Sequence, residues 1–378
     1  MKWIHLSDLH LGKTVNGFSM IQNQRAVLEQ ILSVTETVSP DCVMIAGDVY
    51  DKSVPTVEAV ILFDGFLAAL SARCSRIFLI SGNHDSAERL SFGSAILKNS
   101  GIVIARAYGG AVEFCDVPDA YGSVRVFLLP FLKPSHVRPF FPDTPIDSYT
   151  DAVRAALSTV ALPTDGRSVL IAHQFVAGGG RCESEELSLG GTDAVDADVF
   201  APFSHVALGH LHGPQTMEGG RLRYCGSPLK YSFSECRHEK SVTVGELDGE
   251  NRVTLTTVPL IPPRDLCEVR GSYLEVTEPS FVRAEHRNEC YVHITLTDED
   301  DVPDAVAKLR LFYPYLMRLD YDNRRTRTSE DIVLPTEERE MSPTDFFSAL
   351  FELQNNAPMR PEQSAAVDEL VRRIWGEE

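Results

Sequence analysis

Five short stretches of this 378-residue sequence hold aspartate, asparagine and histidine at close spacing. They are Asp8-Leu9-His10, Gly47-Asp48, Gly82-Asn83-His84-Asp85, Ala172-His173-Gln174 and Gly209-His210-Leu211-His212. Carboxylate and amide oxygens are hard metal ligands and imidazole is a borderline one. With no thiolate among them, the set suits manganese, iron, magnesium or zinc in an oxygen–nitrogen site rather than a cysteine-type structural zinc. An aspartate such as Asp48 can bridge two cations held ~3.5–4 Å apart. Such a pair polarises a phosphate and lowers the pKa of a water, so phosphoester hydrolysis is the chemistry these residues could do together. Each motif alone has a bland alternative. Gly-Asp after a strand is often a turn, Asn-His-Asp can be a helix cap with Asp85 accepting backbone N–H groups, and Gly-His-x-His can be a surface hairpin. His5, His136, His205, His238, His286 and His293 have no comparable company and read as ordinary core or surface histidines.

What turns five weak motifs into one expectation is the set of elements that must position them. Residues 3–7, 42–46, 77–80, 169–172 and 205–208 are short apolar runs with strand character, and a motif ends or directly follows each. Between the first of these, helical spacing predicts helices over 19–38 and 56–70, and a third starting at Ser86 or Asp85 and reaching about Lys98. This βαβα rhythm implies helices packed on a sheet, and sites in such sheets form beyond the carboxyl ends of the strands. After Gly101 the pattern becomes strand-rich, with a helix near 152–160 and a long glycine-containing loop over 178–191. Three prolines within 259–264 suggest a linker. A small α+β pattern follows (strand 289–297, helix 302–312, strand 315–321), then a charged stretch over 323–340 and two helices, the first opening on Ser342 as cap with Pro343 behind it.

The composition is that of an ordinary globular protein, with 43% hydrophobic and 24% charged residues. The net charge of −19 gives no basic footprint for nucleic acid, so a positive field would have to come from bound metal ions or a partner. The eight cysteines are scattered with no Cys-x-x-Cys pair, and a reduced state is expected. No apolar run approaches the ~20 residues of a membrane span, and residues 1–5 enter a strand pattern rather than a signal peptide, so no membrane association and a cytoplasmic location are expected.

The five motifs, in that order, resemble those of the calcineurin-like metallophosphoesterases. The resemblance is closest to their SbcD branch, the bacterial nuclease subunits that work with an SMC-like ATPase, SbcC. It is carried by Asp8 to Gly12, Gly47 to Asp51, His173-Gln174-Phe175-Val176, Ser184-Glu185-Glu186, Tyr224 to Pro228, Ser232 to Glu235, and Val258-Pro259-Leu260 leading to Pro263-Arg264. It implies an α/β fold, a four-layer sandwich of two mixed sheets flanked by helices, with a small α+β capping domain and C-terminal helices. The expected domains are a nuclease domain over 1–262, a capping domain over 263–330 and a helical ATPase-binding segment over 341–378.

The resemblance also implies two divalent cations, most usually Mn2+. One would be held by Asp8, His10, Asp48 and His212, the other by Asp48, Asn83, His173 and His210. His84 would be catalytic, protonating the leaving oxygen or stabilising the transition state, with Asp85 orienting it or capping a helix. Asp51 stands where archaeal and eukaryotic relatives often carry a second histidine. DNA would be the substrate, a metal-activated water the nucleophile, and exonuclease and endonuclease cutting the outcome. An SbcC-like SMC-family ATPase would be the partner and a homodimer through nuclease-domain helices the assembly. The apolar spacing of Phe346, Phe347, Leu350, Phe351 and Leu353, and of Val367, Leu370, Val371, Ile374 and Trp375, fits docking on that ATPase or packing back on the body. Arg324, Arg325 and Arg327 form a basic cluster of open role. The rival readings are a calcineurin-like phosphoesterase acting on small phosphoesters or phosphoproteins, and a regulatory scaffold for an ATPase.

Overall fold

In the computed structural model the apolar runs become buried strands whose alternate residues face opposite ways. The structure describes residues 1–185, 193–324, 326, 342–355 and 358–375, with the side chains of 352–355 and 375 set aside. Glu186, Arg325 and Arg327 and the side chains of Leu353 and Trp375, all singled out above, lie outside the described set.

The chain forms two compact units, Met1–Asp265 and Leu266–Glu378. The first holds two six-stranded mixed sheets. One is ordered Val253–Pro259, Ser241–Leu247, Lys2–Leu6, Cys42–Ala46, Ile77–Ile80, Ile102–Ile104. Its last four strands are parallel, and the first two are antiparallel additions. The second is ordered Gln215–Met217, Leu222–Tyr224, His205–Gly209, Ser168–His173, Gly122–Leu129, Glu113–Asp119, with the middle four parallel. Trp3, Met44 and Phe78 of one sheet and Val126, Ile171 and Ala207 of the other share one dry core between the sheets. Parallel strands need crossovers, and the helices Ile21–Val38 and Val57–Ser71 supply them while burying Val27, Leu28 and Ile31, and Phe63, Phe66 and Leu70. On the outer face of the second sheet, Ala152, Val153 and Ala156 of the helix Tyr149–Leu157 join Leu170, Val206 and Leu208 in a second core. The four-layer helix–sheet–sheet–helix order is therefore present.

Two local expectations differ from what forms. The helix expected to reach Lys98 is broken into Ala87–Leu90 and Ser94–Leu97, because Gly93 between them turns to φ +75°. Ser86 does cap the first piece, receiving the Arg89 N–H at 3.4 Å. The edge strand Glu113–Asp119 was not expected, since Pro118 within it reads as a breaker; an edge position leaves one side of the strand free of ladder bonds, and there proline is tolerated.

The second unit has three parallel strands, Leu266–Gly271, Tyr291–Leu296 and Leu316–Tyr321, over a core of Val269, Val292, Ile294, Leu309 and Tyr313. The connecting helix is only Ala305–Leu309. The helices Pro343–Asn355 and Pro361–Trp375 follow, and Ser342 caps the first as expected, accepting the Asp345 N–H at 3.1 Å.

Candidate metal centre

The parallel strands of both sheets end at one edge, and the loops that follow run side by side. Asp8 N–H donates to the Gly47 carbonyl, His10 N–H to that of Asp48 and Leu11 N–H to that of Val49, all near 3.0 Å. These bonds prolong the parallel ladder beyond the sheet and set Asp8 and His10 against Asp48. On the other sheet the pairing of Gly209 with His173 puts His210 and His212 beside His173.

All seven expected ligands come together there. Asp48 Oδ2 lies 3.6 Å from His10 Nε2 and 3.3 Å from His173 Nε2. On one side His10 Nε2 and His212 Nε2 are 3.0 Å apart, with the Asp8 carboxylate close enough to share an ion with both. On the other, Asn83 Oδ1 is 3.0 Å from His173 Nε2 and 3.0 Å from His210 Nδ1. Asp48 thus belongs to two donor groups at once. Imidazole nitrogens and carboxylate oxygens converge here without hydrocarbon between them, as a cation site requires and an apolar core forbids.

Supporting contacts aim these donors. His173 Nδ1 is 2.8 Å from the Ala46 carbonyl, so it carries the proton and Nε2 presents its lone pair to the cluster. Asp8 receives the Ser7 hydroxyl at 2.5 Å and the His210 N–H at 3.1 and 3.2 Å. His212 rests on residues that carried only the family likeness in the sequence. Ser184 Oγ lies 2.7 Å from His212 Nδ1 and donates to Glu235, Glu185 accepts the His212 N–H at 2.6 Å, and Lys240 donates to the His212 carbonyl while pairing with Glu235. Gln24 and Tyr231 bind the Leu9 and His10 carbonyls from beneath. Gln24 and Lys240 gave no sequence signal, because a single polar residue in a helix or before a strand looks like a solvated one.

His84 sits at the rim. Its Nε2 is 4.0 Å from Asp48 Oδ2, its N–H donates to Asp48 Oδ1 at 2.9 Å, and its Nδ1 is 3.0 Å from the Asp51 carbonyl. The Asp51 backbone, not Asp85, therefore orients the ring. Asp85 neither orients His84 nor caps a helix; its carboxylate accepts the N–H groups of Val49, Tyr50 and Gly82, locking two site loops together. The Asp51 carboxylate takes Lys13 at 2.7 Å and faces His10 Nδ1 at 3.7 Å.

Burial and mutual proximity shape the charges. Burial, then the neighbouring Asp48, pushes the Asp8 carboxyl up to about 6. Burial would raise Asp48 too, but the His173, His10 and His84 imidazoles outweigh it and hold that carboxyl well below its usual range. Burial opposes charge on His173, yet Asp48 overrides it and raises the imidazole to about 9. Burial, then His173, lowers His210 to about 3, and burial keeps His10 well below its usual value. Of the remaining histidines, His5 and His205 are fully buried in the first unit, and His293 lies in the second, 2.8 Å from Asp320.

The calcineurin-like phosphoesterase family model matches residues 1–214, and a domain described as the type 5 capsule protein repressor C-terminal domain matches residues 262–355. The chain is 34% identical to the D subunit of the SbcCD nuclease of Staphylococcus epidermidis, over 84% of this chain and 85% of that one. It is 32% identical to the same subunit from Staphylococcus saprophyticus, over 84% of each. Among solved structures, a dimetal phosphatase from Danio rerio is 12% identical with a TM-score of 0.42, over 69% of this chain and 97% of that one. The chain belongs to the calcineurin-like phosphoesterases and, within them, to the SbcD family, the D subunits of SbcCD nucleases.

Proposed function

We propose that this centre hydrolyses DNA phosphodiesters with two divalent cations, manganese by preference, and that the chain works as the nuclease subunit of an SbcCD-like complex. The observation that carries the reading is Asp48, whose one carboxylate oxygen lies 3.6 and 3.3 Å from imidazoles of two separate donor groups. Asp8, His10, Asp48 and His212 would hold one cation, and Asp48, Asn83, His173 and His210 the other. When bound, the pair neutralises a phosphodiester and lowers the pKa of water. His84 stands outside both groups with Nδ1 engaged by the Asp51 carbonyl, which leaves Nε2 to give a proton to the leaving oxygen or to stabilise developing charge. Oxygen and nitrogen donors without sulfur support manganese, and the names of the staphylococcal relatives support DNA cutting within a complex with an ATPase.

Three further features fit this setting. Val57, Ile61, Phe92 and Ile96 are exposed on and near the helix Val57–Ser71, which supports a homodimer through nuclease-domain helices. The exposed Phe346, Phe347, Leu370 and Ile374 of the terminal helices support docking on an SMC-family ATPase. All eight cysteines are free, as in a reducing cytoplasm, and among the described residues no helix is long and apolar enough to cross a membrane.

The decisive assay uses the full chain with manganese and linear duplex DNA. The wild type is expected to cut, and His84→Ala to lose at least about 100-fold in rate, the usual contribution of a proton-transfer group, while retaining two metal ions per chain. A wild type that hydrolyses small phosphoesters but leaves DNA intact, with and without an ATPase partner, would instead mark a phosphoesterase of another substrate class.

A further inference from the structure

The strand Gly122–Leu129 runs parallel to Ser168–His173, which runs parallel to His205–Gly209. The latter two deliver His173 and His210 to the metal centre, so the first must deliver its own following loop, residues 130–133, to the same edge. It does. Phe131 N–H donates to the Ser81 carbonyl at 2.9 Å, fastening this loop to the turn that carries Asn83. The Phe131 ring lies parallel to the His210 imidazole, 6.5 Å between centroids at 13°, and meets His173 edge-on at 6.2 Å. The Lys133 ammonium sits 5.8 Å over the Phe131 ring.

Between this loop and the turn over 82–88 opens a cavity of about 480 Å³, lined by Asn83, Ser86, Tyr108, Phe131, Lys133 and His136. That volume is in the range of small-molecule sites. Asp85 and Glu88 also line it, but the first is occupied by three backbone amides and the second takes the Ser86 hydroxyl. Lys133 is exposed, with no ion-pair partner among the described residues. A cation and two aromatic rings beside a phosphodiester-cleaving centre are the parts that hold a nucleic-acid strand: the cation meets a phosphate and the rings meet bases or sugars. They are set here in a chain of net charge −19, where general surface attraction for DNA is lacking.

We propose that this cavity is the subsite for the nucleotide adjoining the scissile phosphate. Lys133 binds a non-bridging oxygen of the neighbouring phosphate, and Phe131 and Tyr108 give its sugar or base an apolar platform. The proposal rests on the nuclease reading above. Lys133→Gln removes a charge from an exposed side chain and leaves the fold alone. In the full-length protein with manganese, kcat/KM is measured on an oligonucleotide duplex and on bis-p-nitrophenyl phosphate, with metal content followed in parallel. The loss on DNA should exceed the loss on the small diester by about tenfold, and the slope of log kcat/KM against log salt should fall in magnitude by about 1. Lys133→Arg should restore most of the DNA rate. An equal loss on both substrates, or no loss on DNA, overturns the subsite. A wild type that does not cut DNA fails at the earlier step and is told apart by that.

Discussion

At the scale of single residues, the centre depends on partners that hold the donors as much as on the donors. His212 shows this best. The Ser184 hydroxyl donates to Glu235, so it can only accept from His212 Nδ1; that fixes the proton on Nδ1 and leaves the Nε2 lone pair facing His10. Removing such a partner commonly costs 10–100-fold in metal affinity. Ser184→Ala should therefore weaken one of two manganese sites by about tenfold in a calorimetric titration, with the other site and the melting temperature little changed. Equal weakening of both sites, or of neither, would remove Ser184 from this role. The sequence carried the donors plainly, because Asp, Asn and His crowd into five short motifs. It carried Ser184, Glu185 and Glu235 only as part of a family likeness, and it misassigned Asp85. Which carboxylate faces a ring and which gathers amides depends on backbone direction in the loops, and residue type does not record that.

At the scale of elements, the strand ends are legible and their conformation is not. The runs over 42–46 and 77–80 form strands with those bounds, since a strand buried on both faces reads as an unbroken apolar run. Yet Asp8, His10, Asp48 and His210 all adopt left-handed backbone, at φ +54°, +42°, +50° and +101°. Such conformations cost of order 1–3 kcal/mol each and persist only where the surroundings impose them. Here the imposing contacts are the bonds from Asp8 and His10 to the Gly47 and Asp48 carbonyls and the close approach of the turn at Gly82. A Cβ on Gly82 would stand 2.1 Å from Asp48 Oδ1 and 2.5 Å from its backbone nitrogen. Gly82→Ala should then displace the bridging carboxylate. The expected result is a loss of about 1–3 kcal/mol in stability, as for other overpacked sites, together with loss of bound manganese. By contrast Gly65, on the helix Val57–Ser71 with nothing within 4 Å of an added methyl, should accept alanine with stability unchanged or raised. Equal melting curves and metal contents for the two variants would show that the turn at Gly82 has room after all.

At the scale of the whole molecule, composition speaks least: a net charge of −19 is compatible with a nuclease only if cations and partners supply what the surface does not. The terminal helices are where a partner question becomes physical. Phe346 and Phe347 are 55% and 46% exposed on one, and Leu370 and Ile374 are 54% and 65% exposed on the other. Burying a large apolar side chain contributes roughly 1.5–3 kcal/mol, so four of them offer about 6–12 kcal/mol before association entropy is subtracted. With the neighbouring polar contacts that is enough for a micromolar or tighter complex, whose binding free energy is about −8 kcal/mol. The second unit keeps its own core of Val269, Val292, Ile294 and Leu309 without these helices, so their removal should leave the rest folded. Deleting residues 342–378 is therefore expected to abolish co-elution with an SMC-family ATPase in size-exclusion chromatography while manganese content and cutting of DNA by the isolated chain persist. A truncated chain that still co-elutes would place the docking surface elsewhere. A truncated chain that loses its metal would instead show that the helices serve the fold, and that their apolar faces pack on the body.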